Sequence, residues 1–307
     1  MKKIAFYLLL FSQLSLGKCA ITYDFNGGRF GDCLSTYAKA KWFALKYKLP
    51  LFYKPFQYSE QLNLHIFETA YNPKDCKFFN KIVKVKSEAD ITNNTDDNIL
   101  FISNFYSITP DLYEYRFIDK KWETEIRKSI APTAFSSTSK LENTVTIALH
   151  VRKGGGFDQP LSTDSSGKDS ICKKFSDQIW PTKFPPDEYY IEALAKIAQL
   201  IDPHYLIEVH LFTDFPEPEL IAQKYQDALA DNRLHFVYRA TENFHNKNVV
   251  EDYCAMAACD YLIRSSSLIA KASQLLGNHK MVLYPGHGYW DGEKVIIDLI
   301  HIVIKNN

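Results

Sequence analysis

Several features that place a chain in a large class at sight are missing from this one. Its six cysteines, Cys19, Cys33, Cys76, Cys172, Cys254 and Cys259, never stand in Cys-x-x-Cys spacing. That excludes the usual zinc ribbon or finger, whose thiolates come in closely spaced pairs. Neither sign of charge is in surplus, since 36 Lys and Arg balance 36 Asp and Glu. No overall field argues for nucleic acid or an anionic membrane surface as partner, so any anion has to be held locally. No Asp-x-Asp pair is present to hold a divalent cation at a diphosphate, and no complete Gly-x-Gly-x-x-Gly fingerprint marks a dinucleotide site. Beyond the N-terminus, no apolar run approaches the ~20 residues of a membrane-spanning helix.

What remains has an ordinary globular composition, 46% hydrophobic and 23% charged over 307 residues, which is room for two compact domains. The 19 Tyr, 21 Phe and 4 Trp suit carbohydrate stacking but equally suit a large mixed core. At the N-terminus, Met1-Lys2-Lys3 precedes the apolar run Ile4–Phe11 and the small residues Ser15 and Gly17, the pattern of a secretory signal peptide over residues 1–20. The alternative, a buried first strand, is less economical because Ala20–Phe25 already supplies the strand that the next loop requires. A cleaved signal implies a secreted, periplasmic or secretory-lumen protein, where a disulfide involving Cys172 becomes possible.

The most informative stretch is Val145–Arg152. Val145, Ile147, Leu149 and Val151 alternate with Thr146, Ala148, His150 and Arg152, the period of a strand, so His150 and Arg152 leave the same face at its carboxyl end. Lys153-Gly154-Gly155-Gly156 follows. A planar guanidinium matched to phosphate oxygens, an imidazole beside it and glycines that admit backbone N–H groups suit a diphosphate. As a side chain at a ligand-facing strand end, Arg152 is expected to contribute little to packing.

From Val145 onward, strands alternate with helices: strands at 206–212, 234–238, 261–263 and 281–284, and helices opened by Pro185-Pro186-Asp187 and spanning 218–230, 249–259 and 267–276. That is a doubly wound parallel sheet, whose ligand sits at the carboxyl ends of the strands. The first half starts the same way, with a strand at Ala20–Phe25, a tight loop to Asp32 and a helix from Cys33 to Lys48 whose inward residues are Leu34, Tyr37, Ala38, Trp42 and Leu45. Further strands are expected at 49–53, 81–85 and 99–102. The Ser/Thr-rich segment 134–143 reads as a linker. Two α/β domains, 21–140 and 141–307, are therefore expected.

Four segments carry polar chemistry. Gly27-Gly28-Arg29-Phe30-Gly31-Asp32 sets Gly28, Arg29 and Asp32 between a strand end and a helix start. His150 and Arg152 are the second. Asp214 ends the third strand-like run, where it could equally cap the next helix. The fourth runs from Glu251-Asp252 to Arg264-Ser265-Ser266-Ser267, whose hydroxyls form either an anion site or a helix cap.

In order, Gly28-Arg29-Phe30-Gly31, His150-Val151-Arg152 and the run Val250–Ser267 resemble the GDP-fucose-dependent fucosyltransferases of the α1,2, α1,6 and protein O-fucosyl superfamily, over about residues 21–276. The resemblance implies an α/β fold of GT-B type, two facing Rossmann-like domains, with the acceptor on the first and GDP-sugar on the second. It implies that Arg152 holds the β-phosphate, His150 supports the nucleotide, Asp252 reads the guanine edge, and Ser265, Ser266 and Ser267 bind phosphates or ribose, with Gly28 and Arg29 on the substrate side. Partners would be GDP-fucose and a glycan or glycoprotein acceptor, with no metal and no cofactor beyond the donor. Transfer would proceed with inversion, and Asp32 and Asp158, each after a glycine loop, are the candidate general bases. The family's first loop usually ends in Asn followed by Gln, where this chain has Asp32-Cys33, and the loop from Gly154 to Pro186 departs from its pattern. The competing readings are transfer from another nucleotide sugar, a non-catalytic carbohydrate- or nucleotide-binding protein on the same fold, and a phosphatase. The last lacks a nucleophile in a matching glycine loop.

Overall fold

The computed structural model describes residues 19–25, 27–94, 96–105, 108–109, 119–134, 142–153, 181–243, 247–292 and 294–304. The chain divides into two compact units, Met1–Thr133 and Ala134–Asn307. The division falls at the start of the Ser/Thr-rich segment that sequence assigns to a linker.

In the first unit the order is β1 (Ala20–Tyr23), α1 (Phe30–Tyr47), β2 (Phe52–Tyr53), α2 (Leu64–Phe67), β3 (Thr69–Ala70), β4 (Lys81–Lys84), α3 (Ala89–Thr92), β5 (Ile99–Ser103) and α4 (Lys120–Ile130). A parallel sheet runs β1-β5-β4, β2 pairs with β3, and the bridge Ile21–Leu51 sets the segment leading into β2 on the other side of β1. Helix α1 begins at Phe30, three residues earlier than the apolar pattern predicts, because the Asp32 carboxylate accepts the Arg29 N–H at 3.0 Å and caps the first turn. Leu34, Tyr37 and Ala38 are buried as expected, but Trp42 and Leu45 are only half-buried while Phe43, Ala40 and even Lys39 are buried. The cause is a second neighbour: α4 packs on α1, and the Trp122 indole N–H donates to the Ala38 carbonyl at 3.2 Å. A helix covered on two sides has no single apolar stripe to read.

The second unit holds β6 (Thr144–Val151), α5 (Asp187–Leu200), β7 (Leu206–Thr213), α6 (Pro218–Leu229), β8 (Leu234–Tyr238), α7 (Val249–Ala258), β9 (Tyr261–Arg264), α8 (Leu268–Leu276), β10 (Met281–Asp291) and β11 (Lys294–Ile304). Its six-stranded sheet has the order β11-β10-β9-β6-β7-β8 and is parallel except for β11. The alternation in β6 sorts its two faces. Val145, Ile147, Leu149 and Val151 pack with Tyr190, Ala193, Leu194 and Ile197 of α5. Ala148, on the opposite face, packs with Met256 and Ala270 of α7 and α8. The sequence pattern misses β11 and the far half of β10. Pro285, Gly286 and Gly288 read as a loop, yet register shifts at Pro285/His287 and His287/Tyr289 absorb them within a continuing antiparallel pair.

Among the described residues Cys19, Cys33, Cys76, Cys254 and Cys259 are free thiols, and no helix is long and apolar enough to cross a membrane. Residues 1–18, which hold nearly all of the expected signal peptide, and Cys172 lie outside the described residues. Ala20 is part of β1, paired with Leu100.

Candidate functional site

The six-stranded sheet fixes where a ligand belongs. From β6 the chain winds through β7 to β8 on one side, then crosses by α7 to β9 and β10 on the other. The reversal falls between β6 and β9, and an open parallel sheet binds ligands at the carboxyl ends of the strands flanking such a switch point. His150 is the register partner of Arg264 there. The strand end carrying His150 and Arg152 therefore stands beside the strand end that leads into Ser265, Ser266, Ser267 and helix α8.

The side chains interlock. The His150 imidazole Nδ1 is 3.3 Å from the buried Ser265 hydroxyl. Arg152 is buried at 9% exposure; its Nη1 donates to the Ser267 hydroxyl at 3.5 Å, its Nε lies 4.0 Å from Asp214 Oδ2, and its guanidinium stacks 5.3 Å from the Phe184 ring. This corrects the expectation that Arg152 contributes little to packing, since a strand end flanked by two crossovers is walled in by both. Burial, then the neighbouring Arg152 and Arg264 cations, pull the His150 pKa down to about 3. His150 is thus a neutral hydrogen-bonding group at physiological pH, and the positive charge of the pair belongs to Arg152.

The three serines differ. Ser267 is the N-cap residue of α8 but its hydroxyl makes no capping bond; it faces Arg152 instead. The Ser266 N–H is committed to the Thr182 carbonyl at 2.9 Å. Ser265 is held from behind by Arg264, which is 1% exposed, donates from Nη1 to the Ser265 carbonyl at 3.1 Å and from Nε to Gln274 at 2.7 Å, and stacks 4.1 Å from the Tyr284 ring. Helix α8 then directs its N-terminal N–H groups and dipole toward this end of the sheet, a setting that favours an anion. Asp214 does not cap α6, whose N-cap residue is Glu217; its Oδ1 accepts the Lys153 N–H at 2.8 Å.

A second polar cluster adjoins the first and was not foreseen. Asp187, at the start of α5, pairs with Lys153, with Lys224 Nζ at 2.7 Å and with the Tyr225 hydroxyl at 2.6 Å. Burial works to raise its pKa, but the hydrogen bonds from Lys153, Lys224 and Tyr225 outweigh that and hold it at about 2. Asp252 lies in the first turn of α7, its Oδ1 2.9 Å from Arg239 Nη2. Burial raises the pKa of its carboxyl, and the Arg239 hydrogen bond opposes that rise. Phe184 and Arg239 are the residues that sequence reasoning passed over, and Arg264, named in the fourth segment, was given no role of its own. Arg239, one residue past the strand Leu234–Tyr238, obeyed the strand-end rule that singled out Arg152 and could have been found by it.

Gly28, Arg29 and Asp32 belong to the first unit, at the carboxyl end of β1. Gly28 has φ +89°, and a Cβ there would fall 2.6 Å from the Cβ of Asp32, so the turn admits only glycine. Asp158 lies outside the described residues. Among the described residues no group of three or more His, Cys, Asp or Glu side chains is placed to hold a metal ion.

No family model matches this chain, and no curated protein matches it by sequence. Solved structures do match. An arginine-to-lysine variant of Arabidopsis thaliana FUT1 in complex with GDP aligns with 91% of this chain and 74% of its own, at 13% identity and a TM-score of 0.55. POFUT1 in its apo form covers 86% of this chain and 95% of its own at 10% identity and a TM-score of 0.49. The fucosyltransferase NodZ from Bradyrhizobium covers 94% and 99% at 13% identity and a TM-score of 0.46. The likeness to the plant protein defines the fold class: this chain is an α/β protein with the GT-B-type fold found in fucosyltransferases.

Proposed function

We propose that this chain is a glycosyltransferase that moves fucose from GDP-fucose to a hydroxyl of a glycan or protein, with inversion and without a metal. The observation that carries the reading is the convergence of Arg152 on Ser267 and of His150 on Ser265 at the switch point, where residues 115 apart meet. The shared fold supports it, since the plant structure contains GDP. Arg152 supplies the fixed positive charge, and α8 the N-terminal dipole, where the leaving diphosphate gains charge; interactions that strengthen as that charge develops lower the barrier. Neutral His150 and Ser265 offer hydrogen bonds that hold the nucleotide without adding charge. The lack of an Asp-x-Asp motif in the sequence, with Arg152 in its stead, supports metal-free transfer.

The acceptor hydroxyl needs a base, for which Asp32 and Asp158 are the candidates; the cap bond to Arg29 already engages one Asp32 oxygen. The N-terminal signal pattern supports an exported or lumenal location. The deciding experiment incubates the protein with GDP-fucose and a panel of glycan and glycoprotein acceptors, with and without EDTA, and measures released GDP and transferred fucose. Acceptor-dependent GDP release that survives EDTA, giving the inverted anomer, is the expected result. Binding of GDP-fucose with no turnover on any acceptor would establish the binding-protein alternative. Activity lost on chelation and restored by manganese or magnesium would overturn the metal-free step.

A further inference from the structure

Away from the phosphate-type cluster, Arg239 leaves the carboxyl end of β8 and meets the first turn of α7. Its Nη2 lies 2.9 Å from Asp252 Oδ1 and 3.4 Å from Glu251 Oε2. The two contacts are unequal: the side chains of Arg239 and Asp252 are 30% and 26% exposed, whereas that of Glu251 is 69% exposed. The inner pair is therefore Arg239 with Asp252, half-buried at the rim of the carboxyl edge.

We propose that Arg239 and Asp252 together read the Watson–Crick edge of guanine, Asp252 accepting from N1–H and the N2 amino group and Arg239 donating to O6. The inference rests on the GDP-donor reading and adds to it a second base-selecting residue. Guanine presents acceptor, donor, donor along that edge. A carboxylate can satisfy only the two donors, and O6 would be stripped of water with nothing in exchange, which costs affinity. An arginine pinned beside the carboxylate supplies the missing donor. The guanidinium has five N–H groups in one plane and the carboxylate has about four lone-pair sites, so their mutual bond leaves each with capacity toward a coplanar base. Adenine reverses the pattern at the first two positions and would set donor against donor at Arg239.

The placement suits a nucleotide. In the sheet order β6-β7-β8, the strand carrying Arg152 and the strand before Arg239 are two spacings apart, roughly 10 Å. That is comparable to the reach of a ribose diphosphate. Helix α7 also packs against β6 and β7, which brings Asp252 toward the same edge. Arg239 has a further task as a positioning residue. Burial favours the protonated Asp252 carboxyl, which would present a hydrogen toward N1–H, and the Arg239 cation opposes that.

The test is calorimetric titration of GDP, inosine diphosphate, ADP and UDP into the full chain and into Arg239→Met, Arg239→Gln and Asp252→Asn. Inosine diphosphate keeps O6 and N1–H but lacks the N2 amino group. Arg239→Met is expected to weaken GDP and inosine diphosphate by the same factor, about tenfold, while leaving ADP unchanged. Arg239→Gln, which keeps an amide donor toward O6, is expected to recover part of that loss. Asp252→Asn is expected to close the gap between GDP and inosine diphosphate. Lowering the pH is expected to weaken GDP in Arg239→Gln sooner than in the wild type. Equal loss of all four nucleotides on Arg239→Met would reduce Arg239 to a structural role, and unchanged GDP affinity would remove it from the base site. In either case a wild-type preference for GDP leaves the donor reading standing; a wild type that binds all four alike sinks the donor reading itself.

Discussion

The two units open with the same device, a parallel strand that ends in a loop and is followed by a helix, yet they use its polar residues differently. In the first unit the loop carboxylate Asp32 is bonded to the backbone of Arg29, three residues back, and serves its own helix. In the second, the strand-end residue Arg152 is bonded to Ser267, 115 residues on, and stands between Asp214 and Phe184. A polar residue whose partner is local shapes its own turn, whereas one whose partners come from remote segments marks a place where the fold has been built around a charge. By that measure the second unit encloses a buried cation with remote segments, the arrangement that the proposed anion site requires, and the first offers a well-capped helix with a glycine turn.

The largest effect that can test this contrast is at Arg152. Arg152→Lys keeps a positive charge but loses the planar fork, the bond to Ser267 and the stacking on Phe184. If the site is organised around the leaving diphosphate, turnover should fall by roughly 10²- to 10³-fold, with kcat affected more than KM. Because Arg152 is buried, the melting temperature without nucleotide should fall too, and GDP should raise it less than in the wild type. Wild-type turnover and a wild-type GDP shift would return Arg152 to the status of an ordinary strand end.

The next effect concerns pH and His150. Its folded pKa, about 3, lies below the ordinary 6.5. An unfolded chain takes up a proton at this residue as pH falls through 6.5, and the folded site refuses it until about pH 3. The unfolded state therefore binds more protons in that window, so the stability tied to neutral His150 is complete above pH 6.5 and drains away as pH falls toward 3. Denaturation midpoints measured across the window should fall more steeply for the wild type than for His150→Gln. Parallel curves would mean that His150 takes up its proton freely and is not held neutral in this site.

How much of this was legible in the sequence depends on the same distinction between local and remote. The alternation of Val145–Arg152 fixed both the strand and the shared direction of His150 and Arg152, because a period of two is a local property. The alternation of strands and helices after it likewise specified the parallel sheet. Burial from two sides was not legible: Ala148, Ser265 and Arg264 are all buried although only the first is apolar, since their covers come from distant segments. Strand β11 escaped because glycine and proline ahead of it spell a loop unless bulges absorb them, and nothing local announces a bulge. Asp187 with Lys153, Lys224 and Tyr225 was hidden for the same reason, its partners lying 34 to 38 residues away.

The smallest effect, and the one that cuts between the two roles left to the first unit's loop, is at Asp32. The cap needs only an acceptor oxygen, which Asn supplies as well as Asp does; Ala supplies none and should cost about 1 kcal/mol of stability. A general base needs an ionisable carboxylate, which neither Asn nor Ala provides. Asp32→Asn therefore separates the functions that Asp32→Ala confounds. If Asp32 serves only α1, thermal melts should place Asn near the wild type and Ala below it, and both variants should turn over GDP-fucose at wild-type rates once folded. If it also activates the acceptor, Asn should melt like the wild type yet lose activity, with kcat falling and GDP affinity unchanged. The bond from the Arg29 N–H to Oδ2 leaves Oδ1 for an acceptor hydroxyl, so the cap does not forbid the second role. It does tie the carboxylate's orientation to the turn made by Gly28, whose missing Cβ gives that side chain its room.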